Sequence, residues 1–243
     1  MPPCDCSQPA FFVGRAAKFN NDATLTGIAA VNDPAGTLKI GKNVFMPDGS
    51  SLRANYVEVG NASSVWSVFA NTVKTGSDAV IRGATGPITL PIVDPFCQIP
   101  DFTCGGSAIF LVPGDTAFVT PGTYGFVRVP NAATLHLAPG IYTVCDVKMG
   151  REASIIADGP VILQIGGNLR IGTDSYFGPA LGAPPIAAYV AGHKVRISQS
   201  GVAVAQITAP FAKSTFGRDA TLNGCFCSDQ SKSDKHITLT CGP

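Results

Sequence analysis

Four side chains make the best case for chemistry in this chain: Arg128, Asp146, Lys148 and Arg170. A carboxylate among cations is what acid–base cleavage of a polysaccharide needs, provided that neighbouring strands stack the groups on one face. The same residues alternate with Val127, Val129 and Val147, so they also fit solvated outward positions on ordinary strands. Sixteen acidic residues are few for carboxylate chemistry, and Asp22, Asp78, Asp174 and Asp219 already fall in turns. Ser200 lies in Ser-Gln-Ser-Gly, a turn, and no Gly-x-Ser-x-Gly elbow is present. His236 follows Asp234 and Lys235 and suits a polar end of the fold; His136 and His193 suit outward or rim positions. No residue is assigned a catalytic role.

Eight cysteines, Cys4, Cys6, Cys97, Cys104, Cys145, Cys225, Cys227 and Cys241, offer two other chemistries. Zinc sites favour Cys-x2–4-Cys pairs with a second pair or histidines nearby, whereas these pairs are Cys-x-Cys and the three histidines are far apart. An even cysteine count therefore points to disulfides and an oxidising compartment, and no metal or cofactor is expected. Spacing leaves the connectivity open. Cys97–Cys104 closing a short loop, and a knot among Cys225, Cys227 and Cys241, are the candidate pairings. Calcium would need repeated Asp-rich glycine loops, and single Asp residues in turns are too sparse.

A flat face that orders water would show regular ranks of outward threonines. Thr24, Thr134 and Thr221 align, but Phe45, Ser64, Val80, Ser154 and Tyr176 hold the equivalent places, so the rank is broken. Trp66 and Phe69 suit packing rather than sugar stacking, and Asn61-Ala-Ser63 is a lone glycosylation acceptor in a turn. Seventeen basic and sixteen acidic residues give a net charge of +1 without a block of either sign. Nucleic acid and anionic membrane are therefore not expected as partners, and no run is apolar enough to span a bilayer. The opening MPPCDCSQPA lacks the apolar stretch of a signal peptide, so a secreted protein would be present here as a mature form with an added Met1.

The elements that must position these residues come from a repeat. A phrase of apolar residue, Gly, polar pair, small residue, then Thr, Ser or Val begins at Phe19, Ile40, Val59, Thr75, Val129, Met149, Ile171 and Phe216. Weaker copies start at Val112 and Ile197, and all steps but one, of 37, lie between 16 and 26 residues. Apolar residues two apart point inward from a strand, and the Gly-Asn/Asp step suits a turn with positive φ. Twenty-seven glycines and nineteen prolines exclude long helices. An antiparallel sandwich also has short, regularly spaced strands, but does not repeat one turn phrase. The expected fold is all-β: a right-handed parallel β-helix of about ten coils, in one domain over 1–243. Residues 83–107, rich in proline, read as an inserted loop, and 178–185 as a smaller bulge. The Cys-bearing segments 1–13 and 225–243 read as end caps.

The phrase IGTDSYFGP and the run ITAPFAKSTFGRDATLNGCF, Ile207 to Phe226, resemble repeat-bearing bacterial cell-surface proteins. A looser similarity connects them to bactofilins, which are polymer-forming β-helical scaffolds. The pattern covers most of 14–224 and is a fold motif. The eight cysteines and inserted loops favour the surface proteins over a cytosolic polymer. The resemblance implies a secreted or surface-exposed structural or adhesive protein, with homo-oligomers or filaments formed by coil stacking. The alternative is a carbohydrate-binding or polysaccharide-degrading β-helix with a groove near 126–170 walled by the 83–107 loop.

Overall fold

The computed structural model describes residues 9–91 and 97–241. Its regular structure is β-strand, and the strand pairings among the described residues are parallel, which excludes the sandwich. Each coil lays down three strand segments that stack on their equivalents above and below. Gly140–Met149 pairs through its first half with Val161–Ile165 and through its second with Leu169–Ile171, while Ser154–Ala157 pairs with Tyr176–Pro179. About eleven coils form, which at ~4.8 Å per coil gives a rod roughly 50 Å long. Alternation fills the interior: Val129, Leu135, Ile155, Leu169, Ile171 and Phe177 are fully buried.

The turn phrase works differently from the expectation. Its positive φ falls on the fourth residue, at Asp22, Asn43, Ala62, Asp78, Ala132, Glu152, Asp174, Ser200 and Asp219. The residue two places earlier is glycine except before Asp22, Ala132 and Ser200, where it is Asn20, Pro130 and Ser198. Short Asp and Asn side chains tolerate that conformation. The glycine is there for close approach between coils. A Cβ on Gly41 would lie 2.6 Å from Asn21 Oδ1, and one on Gly150 would lie 2.5 Å from Asn131 Oδ1. Those amide oxygens accept the next backbone N–H of the coil above, from Lys42 at 3.0 Å and Arg151 at 2.9 Å. Ser63 and Ser175, the small residues of the phrase, each bridge a neighbouring coil by bonding Gly41 O and Gly150 O. An eleventh copy went unread: His236 has φ 57° and turns the coil containing Ser233 and Thr238.

Coil order departs from chain order at one place. Pro9–Phe19 pairs on one edge with Ile28–Val31 and Thr37–Ile40, and on the other with Phe226–Ser233. Thr24–Thr26 likewise stacks on Thr238–Thr240. The rod therefore runs from residue 109 to 241, continues at residue 9, and ends near residue 86. The segments expected as end caps, 225–241 and the described part of 1–13, instead form the middle of the rod. The physical reason is that both flank intact phrases, whose edges bond to each other. Thr24 N donates to Ile237 O at 2.9 Å, His236 N to Asn21 O at 3.1 Å, and Asn20 Nδ2 to Ser233 O at 2.7 Å. Arg15 adds an ion pair to Asp229.

The chain must return from one end of the rod to the other between residues 86 and 109. Its described residues from Cys97 onward form a strap on the rod, fastened by two disulfides. Cys97 bonds Cys227 in the central coils and Cys104 bonds Cys145 further along, with Cα separations of 5.6 and 5.0 Å. Both connections differ from the sequence expectation. Cys97 and Cys104 do not pair with each other, because each lies over a different coil. Cys227 is held by the strap and not in a knot with its C-terminal neighbours. Cys225 and Cys241 are also oxidised. Cys4 and Cys6 lie outside the described residues.

Candidate functional site

Arg128, Lys148 and Arg170 stand directly on one another in successive coils, with Asp146 one rank aside and in register with Phe126. All three cations are exposed, and Asp146 Oδ1 accepts the Asn168 N–H at 2.6 Å. With Phe110 and Phe126 these residues line a shallow groove. A single carboxylate engaged by the backbone makes no acid–base pair. What the arrangement can do is hold an anion between cations beside exposed aromatic rings. The rank of cations continues beyond Arg170, where Arg196 is in register with it.

The histidines are separate. His136 Nδ1 lies 2.9 Å from Asp158 and its ring stacks on Phe118 at 4.6 Å. His193 is exposed at a coil corner, and His236 occupies the turn described above. Ser200 is a turn residue with φ 52°. Trp66 and Phe69 are covered by guanidinium groups, with Arg82 5.5 Å from the Trp66 centroid and Arg53 5.6 Å from that of Phe69. Burial lowers the Arg53 pKa. Among the described residues, no group of three or more His, Cys, Asp or Glu side chains is placed to hold a metal ion.

The threonine rank changes once the coil order is known. Thr221, Thr238 and Thr24 are consecutive, because the last coil of the chain sits between the other two. Two residues further along the same strands, Asn223, Thr240 and Thr26 form a second consecutive row. Beyond this patch the outward positions become Val202 and Tyr176 on one side and Phe45 and Ser64 on the other. Sequence spacing alone placed Thr24 and Thr238 at opposite ends, so Thr26, Thr238, Thr240 and Asn223 were missed.

The two ends of the rod are the remaining candidate surfaces. At one end Thr116–Val119 and Ile109–Phe110 are the outermost strands; at the other Val80–Ile81 and Thr85–Gly86. Among the described residues, no strand pairs with their outer edges. Ile109, Leu111, Ala117 and Val119 at one end, and Ala79 and Ile81 at the other, pack on the core yet are only partly buried. Their partners one coil inward, Val127, Leu135 and Val65, are 4%, 1% and 0% exposed.

No family model and no curated sequence matches the chain. Among solved structures it is similar to an ice binding protein from an Antarctic bacterium, Flavobacteriaceae, with 11% identity over 96% of this chain and 80% of that one, at a TM-score of 0.31. The resemblance to surface repeat proteins and bactofilins thus stands on the repeat pattern alone.

Proposed function

We propose that the protein is a secreted or surface-exposed structural rod that associates end to end. The observation that carries this is the pair of terminal coils, each with half-covered apolar residues and a parallel edge that no strand among the described residues pairs with. Such an edge is a template for another chain. Because the two ends differ, stacking is head-to-tail and leads to open filaments rather than closed dimers. The disulfides support an oxidising compartment, and no helix among the described residues is long and apolar enough to cross a membrane. Sedimentation and electron microscopy over a concentration series test the reading. Filaments or ladders of oligomers are expected, and Ile81→Lys or Ile109→Lys should abolish them while the coil signal in circular dichroism stays. A chain that remains monomeric at the highest attainable concentration removes the proposal.

A second reading follows from the threonine patch alone. Six hydroxyl and amide side chains from three stacked strands form a flat, regular array, spaced ~4.8 Å along the rod and roughly 7 Å along each strand. Such an array can hold a layer of ordered water, as at an ice surface. Thermal hysteresis of the purified chain tests it: activity lost in Thr238→Tyr supports the reading, and growth of unmodified ice crystals eliminates it.

A further inference from the structure

Stacking turns isolated basic residues into a continuous file. In rod order, the outward position before each turn reads Phe110, Arg128, Lys148, Arg170, Arg196, Thr215, Lys232, Lys18, Lys39, Glu58 and Lys74. Each is in register with the next, so eight of these eleven places are cationic. Lys194 and Lys213, also in register with each other, thicken the file one rank aside. Ten of the seventeen basic residues of the chain therefore lie on one face. Glu58 pairs with Lys39 at 3.1 Å and with Lys74 at 4.0 Å at one end. Hydrogen bonding from Lys39 lowers the Glu58 pKa despite some desolvation. Elsewhere in the file, no carboxylate among the described residues forms an ion pair with Arg128, Lys148, Arg170, Arg196, Lys232 or Lys18.

Like charges directly opposite each other on paired strands destabilise a sheet. A bound polyanion would neutralise that repulsion, which is the physical case for a ligand here. Two separate grooves also hollow the surface along the file. A groove over the central coils is lined by Lys18, Lys39, Lys213, Lys232 and the short Ala16 and Thr37. Another, near one end, lies between Arg128, Lys148 and Arg170 and the rings of Phe110 and Phe126, which are 65% and 56% exposed. It also holds one carboxylate, Asp146, whose Oδ1 accepts the Asn168 N–H.

We propose that this face binds a linear acidic polysaccharide, a chain with one carboxylate per sugar. A straight, single file of cations spaced ~4.8 Å apart matches a ligand that is itself extended and carries one charge per short repeat. Exposed aromatic rings beside the cations suit the apolar faces of sugar rings. Duplex DNA presents its phosphates on a helix with a turn of about 34 Å, so a straight file about 50 Å long meets the backbone at only a few points. A membrane surface is a plane and gains nothing from local grooves beside a narrow file. The inference requires the rod but not its end-to-end association, so it is tested on monomer.

The probe is polygalacturonate, with dextran as a neutral polymer, duplex DNA as a polyphosphate and phosphatidylserine vesicles as an anionic plane. Polygalacturonate should bind, weaken as salt rises, and be preferred over the other three. Arg170→Glu with Arg196→Glu should lower that affinity at least about tenfold, and the Gln pair should lower it by less. Lys42→Glu with Lys235→Glu makes the same change in net charge in two turns and should leave affinity within about twofold. Equal losses in both Glu pairs, tighter binding of DNA or vesicles, or no binding of polygalacturonate would each overturn the proposal.

Discussion

Lys18 stands in register with Lys232, so a strand near the start of the chain and one near its end are neighbours in the same ladder. The rod is continuous from 109 through 241 to 9 and on to 86, and the strap only reconnects its two ends.

A circular permutant should consequently fold. Joining the ends with a short flexible linker and opening the chain between Gly105 and Gly106 keeps every coil and every cysteine. Loop-closure costs change slowly with length, so stability should stay within about 2 kcal/mol of the parent, as read by denaturant unfolding. Opening at Asp158–Gly159, inside a coil whose Asp158 N donates to Leu137 O at 2.9 Å, should destabilise far more. Equal loss in both permutants would contradict the seam.

How much of this was legible in the sequence depends on the range of the signal. The repeat phrase is local, and it gave the parallel solenoid and most of the turns. Ser233 to Leu239 escaped because Ser replaces the apolar start and Asp the glycine, although His236 adopts the same φ as its equivalents. Coil order across the seam is non-local, since identical phrases do not say which copy lies on which. The broken threonine rank and the misplaced end caps both follow from that. The cation file did have a trace, a Lys or Arg immediately before Phe19, Ile40, Val129, Met149, Ile171 and Ile197. It looked dispersed because each charge is about twenty residues from the next along the chain but only one strand away across the sheet.

Disulfide removal separates the two fastenings of the strap. Cys104→Ser with Cys145→Ser opens a link with a sequence separation of 41, and should cost about 2–4 kcal/mol in denaturant unfolding. Cys97→Ser with Cys227→Ser opens one with a separation of 130, and should cost about 1 kcal/mol more. A pair of variants with no change in midpoint would show that the strap does not restrain the unfolded chain.

Tyr142 couples the core to alkaline pH. Its ring is fully buried, and its hydroxyl donates to Val119 O at 2.8 Å and Ala138 O at 2.9 Å. Burial, with a smaller effect from Tyr124, pushes its pKa up to about 12 from 10.0. The unfolded chain therefore loses this proton first. Its contribution to stability is complete below pH 10 and is lost as pH rises to about 12. Tyr142→Phe takes the hydroxyl donor from Ala138 O, while Val119 O keeps the Ala138 N–H at 3.1 Å, and should cost about 1 kcal/mol at neutral pH. Stability curves between pH 9 and 12 should converge for the two proteins; parallel curves would disprove the coupling.

Gly150 and Ala132 occupy one corner of the rod and should respond oppositely to substitution. A methyl on Gly150 would lie 2.5 Å from Asn131 Oδ1, 2.7 Å from Asn131 N and 2.8 Å from Pro130 C. Two of those atoms are backbone in the neighbouring coil, which cannot retreat without breaking the Gly150 N–H bond to Val129 O at 2.7 Å. Gly150→Ala should therefore cost about 2 kcal/mol or more. Ala132 holds φ 57°, a conformation that strains a residue with a Cβ by about 1–2 kcal/mol. Ala132→Gly relieves that strain against a smaller loss of backbone entropy, and should raise stability by up to about 1 kcal/mol. Thermal unfolding of the two single variants distinguishes the roles: a destabilised Ala132→Gly, or a neutral Gly150→Ala, would mean that the glycine serves the turn and not the contact between coils.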